Sequence, residues 1–90
     1  MVTRQTVIVN PTGLHARPAA DFVIKAKAFS ASVTICNLDT GGGPVSAKSI
    51  LRLLGEGFCR GTRVELVADG PDEHAALDAL TELIESGFGE

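Results

Sequence analysis

Tryptophan and tyrosine are missing from these 90 residues, and phenylalanine occurs only four times. A surface for stacking bases is therefore poorly supplied, and nucleic acid is not an expected partner. Cysteine is scarce as well. Cys36 and Cys59 form no CxxC pair and cluster with no histidine. His15 and His74 are too isolated to complete a site with them, so neither a metal nor another cofactor is expected. A lone disulfide stays open, but two reduced, mostly buried thiols are the expected state. No apolar run approaches the ~20 residues of a membrane span. Met1-Val2-Thr3-Arg4-Gln5 lacks the regions of a signal peptide. A cytoplasmic chain without membrane insertion is expected.

Basic residues are absent from Asp69 to Glu90, where seven acids stand alone. Residues 1–68 therefore carry all eight basic residues against four acids, a local balance of +4 inside a net charge of −3. An acidic, solvated helix face accounts for most of this asymmetry. A cationic end that attracts phosphates or acidic partners is the functional alternative. Hydrophobic residues at 44% and charged residues at 21% suit one folded domain over residues 1–90.

Val2, Val7, Ile8 and Val9 place a strand over 2–9, stopped by Asn10-Pro11-Thr12-Gly13. Ala16, Ala19, Ala20, Val23 and Ala26 recur at helical steps, so a helix is expected over about 16–28. Alternating β-branched residues give a second strand over 32–38. The Asp39–Pro44 turn leads to a short third strand at Val45-Ser46. A short helix near 47–54 follows, with Gly55 as its C-cap. A fourth strand runs over 62–68. Asp69-Gly70-Pro71-Asp72-Glu73 opens a last helix that carries its proline in the first turn and ends at Gly87. The order βαββαβα with short joins predicts an α+β open-faced sandwich: a four-stranded, mainly antiparallel sheet covered on one face by three helices.

The run Asn10-Pro-Thr-Gly-Leu-His-Ala-Arg-Pro-Ala-Ala20 carries chemistry. Gly13 permits a tight bend, and His15 falls at the N-cap of the first helix or just before it. Ala16, Arg17 and Pro18 then fill its first three positions, where backbone N–H groups have no intrahelical partner. Pro18 has no such donor and fixes φ, leaving the amides of Ala16 and Arg17 pointing outward as an anion cradle. The positive helix end disfavours imidazolium, so His15 is expected neutral and nucleophilic. Arg17 adds a planar cation suited to phosphate oxygens. A histidine before a helix is most often a plain surface residue; its conjunction with Gly13, Arg17 and Pro18 singles it out. No base, metal or substrate pocket accompanies it, which favours a carrier phosphorylated by others over an enzyme.

Gly13-Leu14-His15-Ala16-Arg17-Pro18-Ala19-Ala20 resembles the active-site signature of HPr, the histidine-containing phosphocarrier family of the phosphoenolpyruvate:sugar phosphotransferase system. The likeness continues through Ser46-Ala47-Lys48-Ser49-Ile50, Gly55 and Gly61 to the acidic start of the last helix. The resemblance implies a phosphorelay. Enzyme I would phosphorylate His15 on Nδ1, Arg17 would stabilise the phosphorylated state, and His15 would pass the group to a IIA component of a sugar permease. Aligned through Lys-Ser-Ile, the family's regulatory serine is Ser49 rather than Ser46, a possible target of HPr kinase/phosphorylase; the Gly41-Gly42-Gly43 hairpin holds about three extra residues. The resemblance places the docking surface at Ala20, Lys27, Lys48, Ile50, Leu51 and Arg52. Two or three of Ile50, Leu51 and Leu54 are expected in the core. Ile24 stands where related carriers are often basic, and Ala16 where some carry a hydroxyl. Alternatives are a regulatory relative acting through Ser49, a nitrogen-related or dihydroxyacetone relay, and a domain of a fused multiphosphoryl protein. The termini favour a free-standing protein, expected as a monomer. His74 is given no role.

Overall fold

The computed structural model describes residues Met1 to Glu90. Four strands, β1 (Val2–Val7), β2 (Ser32–Asn37), β3 (Val45–Ser46) and β4 (Arg63–Asp69), form one sheet in the order β1-β4-β2-β3. Every pairing is antiparallel. Register follows the alternation of side chains: Ile35 lies opposite Leu66, Val33 opposite Ala68, and all four are buried. The row Thr3, Val67, Thr34 and Ser46 lies on the other face, which no helix covers.

Three α-helices close the buried face: α1 (Ala16–Lys27), α2 (Ile50–Gly55) and α3 (Glu73–Glu85). The apolar stripe of α1 (Ala19, Phe22, Val23, Ala26) meets that of α3 (Ala76, Leu77, Leu80, Ile84) in a single cluster of 20 buried hydrophobic residues. Side chains such as Phe22 and Leu80, fully buried there, stabilise the fold by about 1.5–3 kcal/mol each. α3 lies on β1 and β4, α1 lies between α2 and α3, and α2 lies beside β3. A 3₁₀ turn, Gly87–Gly89, follows α3. The α+β open-faced sandwich read from the sequence is the observed fold.

Several boundaries differ for local reasons. β1 ends at Val7, although Ile8 still donates to the Thr62 carbonyl (3.0 Å) and accepts from Gly61 N–H (2.7 Å). α2 begins at Ile50 because the Ala47 N–H is committed to the Val33 carbonyl at 2.9 Å, which ties residue 47 to the sheet. Gly55 is the last residue of α2 and Glu56 its C-cap, so Gly55 is not the cap. Pro71 precedes the N-cap Asp72 and lies outside α3. The Asp72 carboxylate does not cap its own helix. It accepts the N–H groups of Ser30 (2.9 Å) and Ala31 (2.8 Å) and so fastens the turn after α1 to the start of α3.

The cysteines are unpaired, as expected, but they are not both buried. Cys36 is half-buried and its thiol donates to the Gly42 carbonyl at 2.9 Å. Cys59 is exposed, because it lies in the turn between α2 and β4 rather than on a core-facing strand. No helix is long and apolar enough to cross a membrane.

Candidate functional site

The turn that delivers His15 is held from below. Gly13 N–H donates to the Asn10 carbonyl at 3.1 Å, and buried Leu14 donates to the Phe58 carbonyl at 2.8 Å. Gly13 has φ +65°, and an added Cβ would press on the Phe58 carbonyl oxygen and lie 2.7 Å from Cys59 Cα. Only glycine satisfies both the dihedral and the close approach. The segment Phe58–Cys59 is therefore the bed on which the turn rests.

His15 follows as the N-cap of α1, in extended conformation (φ −84°, ψ −170°). Its carbonyl accepts Ala19 N–H at 2.8 Å, whereas its ring caps no helix amide. The ring is exposed, as are Ala16 and Arg17, while Pro18 is buried against the core. The amides of Ala16 and Arg17 make no hydrogen bond within the chain. An exposed imidazole, two free donors at a helix start and a guanidinium thus share three consecutive residues. That arrangement can hold a dianion covalently attached to the ring.

The remaining sequence-selected residues spread along α1 and α2. Ala20, Ile24 and Lys27 follow Arg17 at helical spacing; Ala20 is half-buried, and Ile24 and Lys27 are exposed. α2 runs antiparallel to α1: the Phe58 that follows it bonds Leu14 beside His15, whereas Lys48 at its start donates from Nζ to the Phe29 carbonyl (2.9 Å) past the end of α1. Lys48 is half-buried, its ammonium tied to the segment that follows α1. Ser49 is the N-cap of α2, its hydroxyl accepting Arg52 N–H at 3.4 Å, and Ser46 ends β3 with its hydroxyl accepting Lys48 N–H. Arg52 is exposed.

The core expectation for α2 is overturned. Leu53 is the buried residue, and Ile50, Leu51 and Leu54 are 36%, 80% and 44% exposed. A six-residue helix offers one narrow face to the core, and Leu53 fills it. His74 is exposed beside Glu73 in α3, far from this surface in the chain.

Sequence reasoning missed Asn10 and Glu90. Asn10 is 1% exposed, and its Nδ2 donates to the Gly13 carbonyl (2.8 Å) and to Glu90 Oε1 (3.2 Å). Glu90 also accepts Thr12 N–H at Oε1 (3.3 Å) and the Thr12 hydroxyl at Oε2 (2.7 Å). The Thr12 hydroxyl bond, more than any other contact, holds the Glu90 carboxyl below the ordinary range, and Arg17 adds attraction. No sequence signal links positions 12 and 90.

The sequence pattern described as the PTS HPr component phosphorylation site matches residues 2–86. The chain belongs to the HPr family. It is 42% identical to the phosphocarrier protein HPr of Haemophilus influenzae over 93% of this chain and 95% of that protein. It is 45% identical to the multiphosphoryl transfer protein of the same organism, over 93% of this chain but only 17% of that protein. An HPr structure from Thermoanaerobacter tengcongensis covers 100% of this chain at 44% identity with a TM-score of 0.93; a structure described as an HPr dimer from that organism superposes at 0.77. The family and the names of these relatives mark a phosphocarrier of the phosphotransferase system.

Proposed function

We propose that residues 1–90 work as one cytoplasmic carrier domain in which His15 accepts a phosphoryl group from phospho-Enzyme I and yields it to a IIA component for sugar uptake. The pair of unbonded amides at Ala16 and Arg17, directly after an exposed His15, carries this reading. Nδ1 attacks phosphorus with its lone pair while the bond to the donor breaks, and that electron pair leaves with the donor. The new phosphoryl oxygens accept the two N–H groups, and Arg17 screens their charge. Transfer onward reverses these roles. Because one cradle serves both directions, the group is held without becoming too stable to pass on.

The docking face in this reading combines Ala20, Ile24 and Lys27 of α1 with Lys48 and the α2 residues Ile50, Leu51, Arg52 and Leu54. An apolar patch with a basic rim suits a transient partner with an acidic rim. A monomer presents this face fully. Ser49, as N-cap of α2, is the second phosphorylation point for an HPr kinase/phosphorylase: a phosphate there would replace the hydroxyl's bond to Arg52 N–H in the middle of the docking face.

The test is incubation with Enzyme I, Mg²⁺ and labelled phosphoenolpyruvate beside His15→Ala. Acid-labile, alkali-stable label is expected on the parent only; label surviving His15→Ala overturns the reading. Parallel reactions with the kinase and ATP on Ser49→Ala and Ser46→Ala separate the two serines. Light scattering of the unmodified protein distinguishes monomer from dimer.

A further inference from the structure

The segment after α3 is held in an unfavourable conformation. Phe88 has φ +55° and ψ +25°, the left-handed region that a bulky side chain rarely adopts, and Gly87 and Gly89 flank it at φ +72° and +78°. Such a kink persists only where its surroundings fix it. Phe88 packs on the core, and Gly87 lies beside Val9 and Asn10. Glu90 then reaches across the turn before α1 with the three bonds to Asn10 and Thr12 described above.

These bonds fall on either side of Pro11. One carboxylate therefore gathers the side chain of Asn10 and both donors of Thr12, and Asn10 passes the restraint on through its bond to the Gly13 carbonyl. Two residues later the chain reaches His15. Asn10 Oδ1 is buried without a partner, so Asn10 is kept at a cost that its Nδ2 contacts must offset. We infer that Glu90 is a positioning residue for phosphoryl transfer: by clipping Asn10 to Thr12 it fixes the entry turn that leads into His15 and the free amides of Ala16 and Arg17.

This inference rests on His15 being the acceptor. Glu90→Ala removes the clip, whereas Glu90→Gln keeps an oxygen for the two N–H donors and an amide for the Thr12 hydroxyl. With phospho-Enzyme I as donor, Glu90→Ala is expected to lower kcat about tenfold with KM unchanged, as misplacement of a reacting group does. Glu90→Gln is expected to recover most of that loss. Amide exchange of Thr12 and Gly13 should accelerate in Glu90→Ala while Leu66 in the core keeps its protection. Unchanged exchange at Thr12 and Gly13, or parental kcat in Glu90→Ala, overturns the inference, as does an equal acceleration at Leu66. A parent protein that accepts no label defeats the acceptor reading instead, and the exchange data still report whether the clip exists.

Discussion

An imidazole on a protein surface is common; one beside two unbonded amides is not, and the difference lies in four neighbouring residues. Gly13 turns the chain, Pro18 withholds a donor and supplies a buried anchor, and between them Ala16 and Arg17 leave their N–H groups open. This much was legible from the sequence, because a helix start is specified by residues a few positions apart. Glu90 was not, since only the completed fold brings it 78 positions back to Thr12. At Gly13, alanine would have to hold φ +65° with its methyl against the Cys59 backbone. Gly13→Ala is expected to destabilise by about 2–4 kcal/mol in urea denaturation. Arg17→Lys keeps the charge but loses the planar fork, and should lower kcat/KM with phospho-Enzyme I about tenfold without moving the urea midpoint.

Among the elements, α2 departs furthest from its sequence reading. Ala47-Lys48-Ser49 has helical composition, yet the Ala47 N–H bonds Val33 and the Lys48 ammonium bonds Phe29, so tertiary partners claim the segment before a helix can start. Its apolar residues also could not be sorted into core and surface, because six residues make less than two turns and carry little periodicity. The long elements were read closely, with α1 and α3 displaying their buried stripes over three turns or more. The sorting now makes a prediction. Leu53→Ala should cost about 2–4 kcal/mol by the cavity it leaves. Leu51→Ala, at 80% exposure, should stay within ~0.5 kcal/mol of the parent and yet weaken Enzyme I binding in calorimetry.

Across the whole molecule, surface carboxylates fasten distant segments around the core. Asp72 holds Ser30 and Ala31, Asp39 holds Arg63, and Glu90 holds Thr12. Each is held below its ordinary range: Asp72 first by the Ser30 N–H, Asp39 by the Arg63 N–H, Glu90 by the Thr12 hydroxyl. A carboxyl lowered in the folded state contributes stability above its unfolded pKa of about 4 and loses it as the pH falls through the folded value. The melting temperature should therefore hold from pH 7 to about 5 and drop below about 4. Asp72→Asn should melt below the parent at pH 7, with the gap narrowing as the pH falls below about 4. The sheet order has another outcome, felt during synthesis. β1 finds its only neighbour in β4, at residues 63–69, and the bed under Gly13 is built by residues 58 and 59. A nascent chain that has emerged only through its first half has its histidine on an untethered tail. The turn that presents the histidine is thus completed only after residues 58–69 have been made.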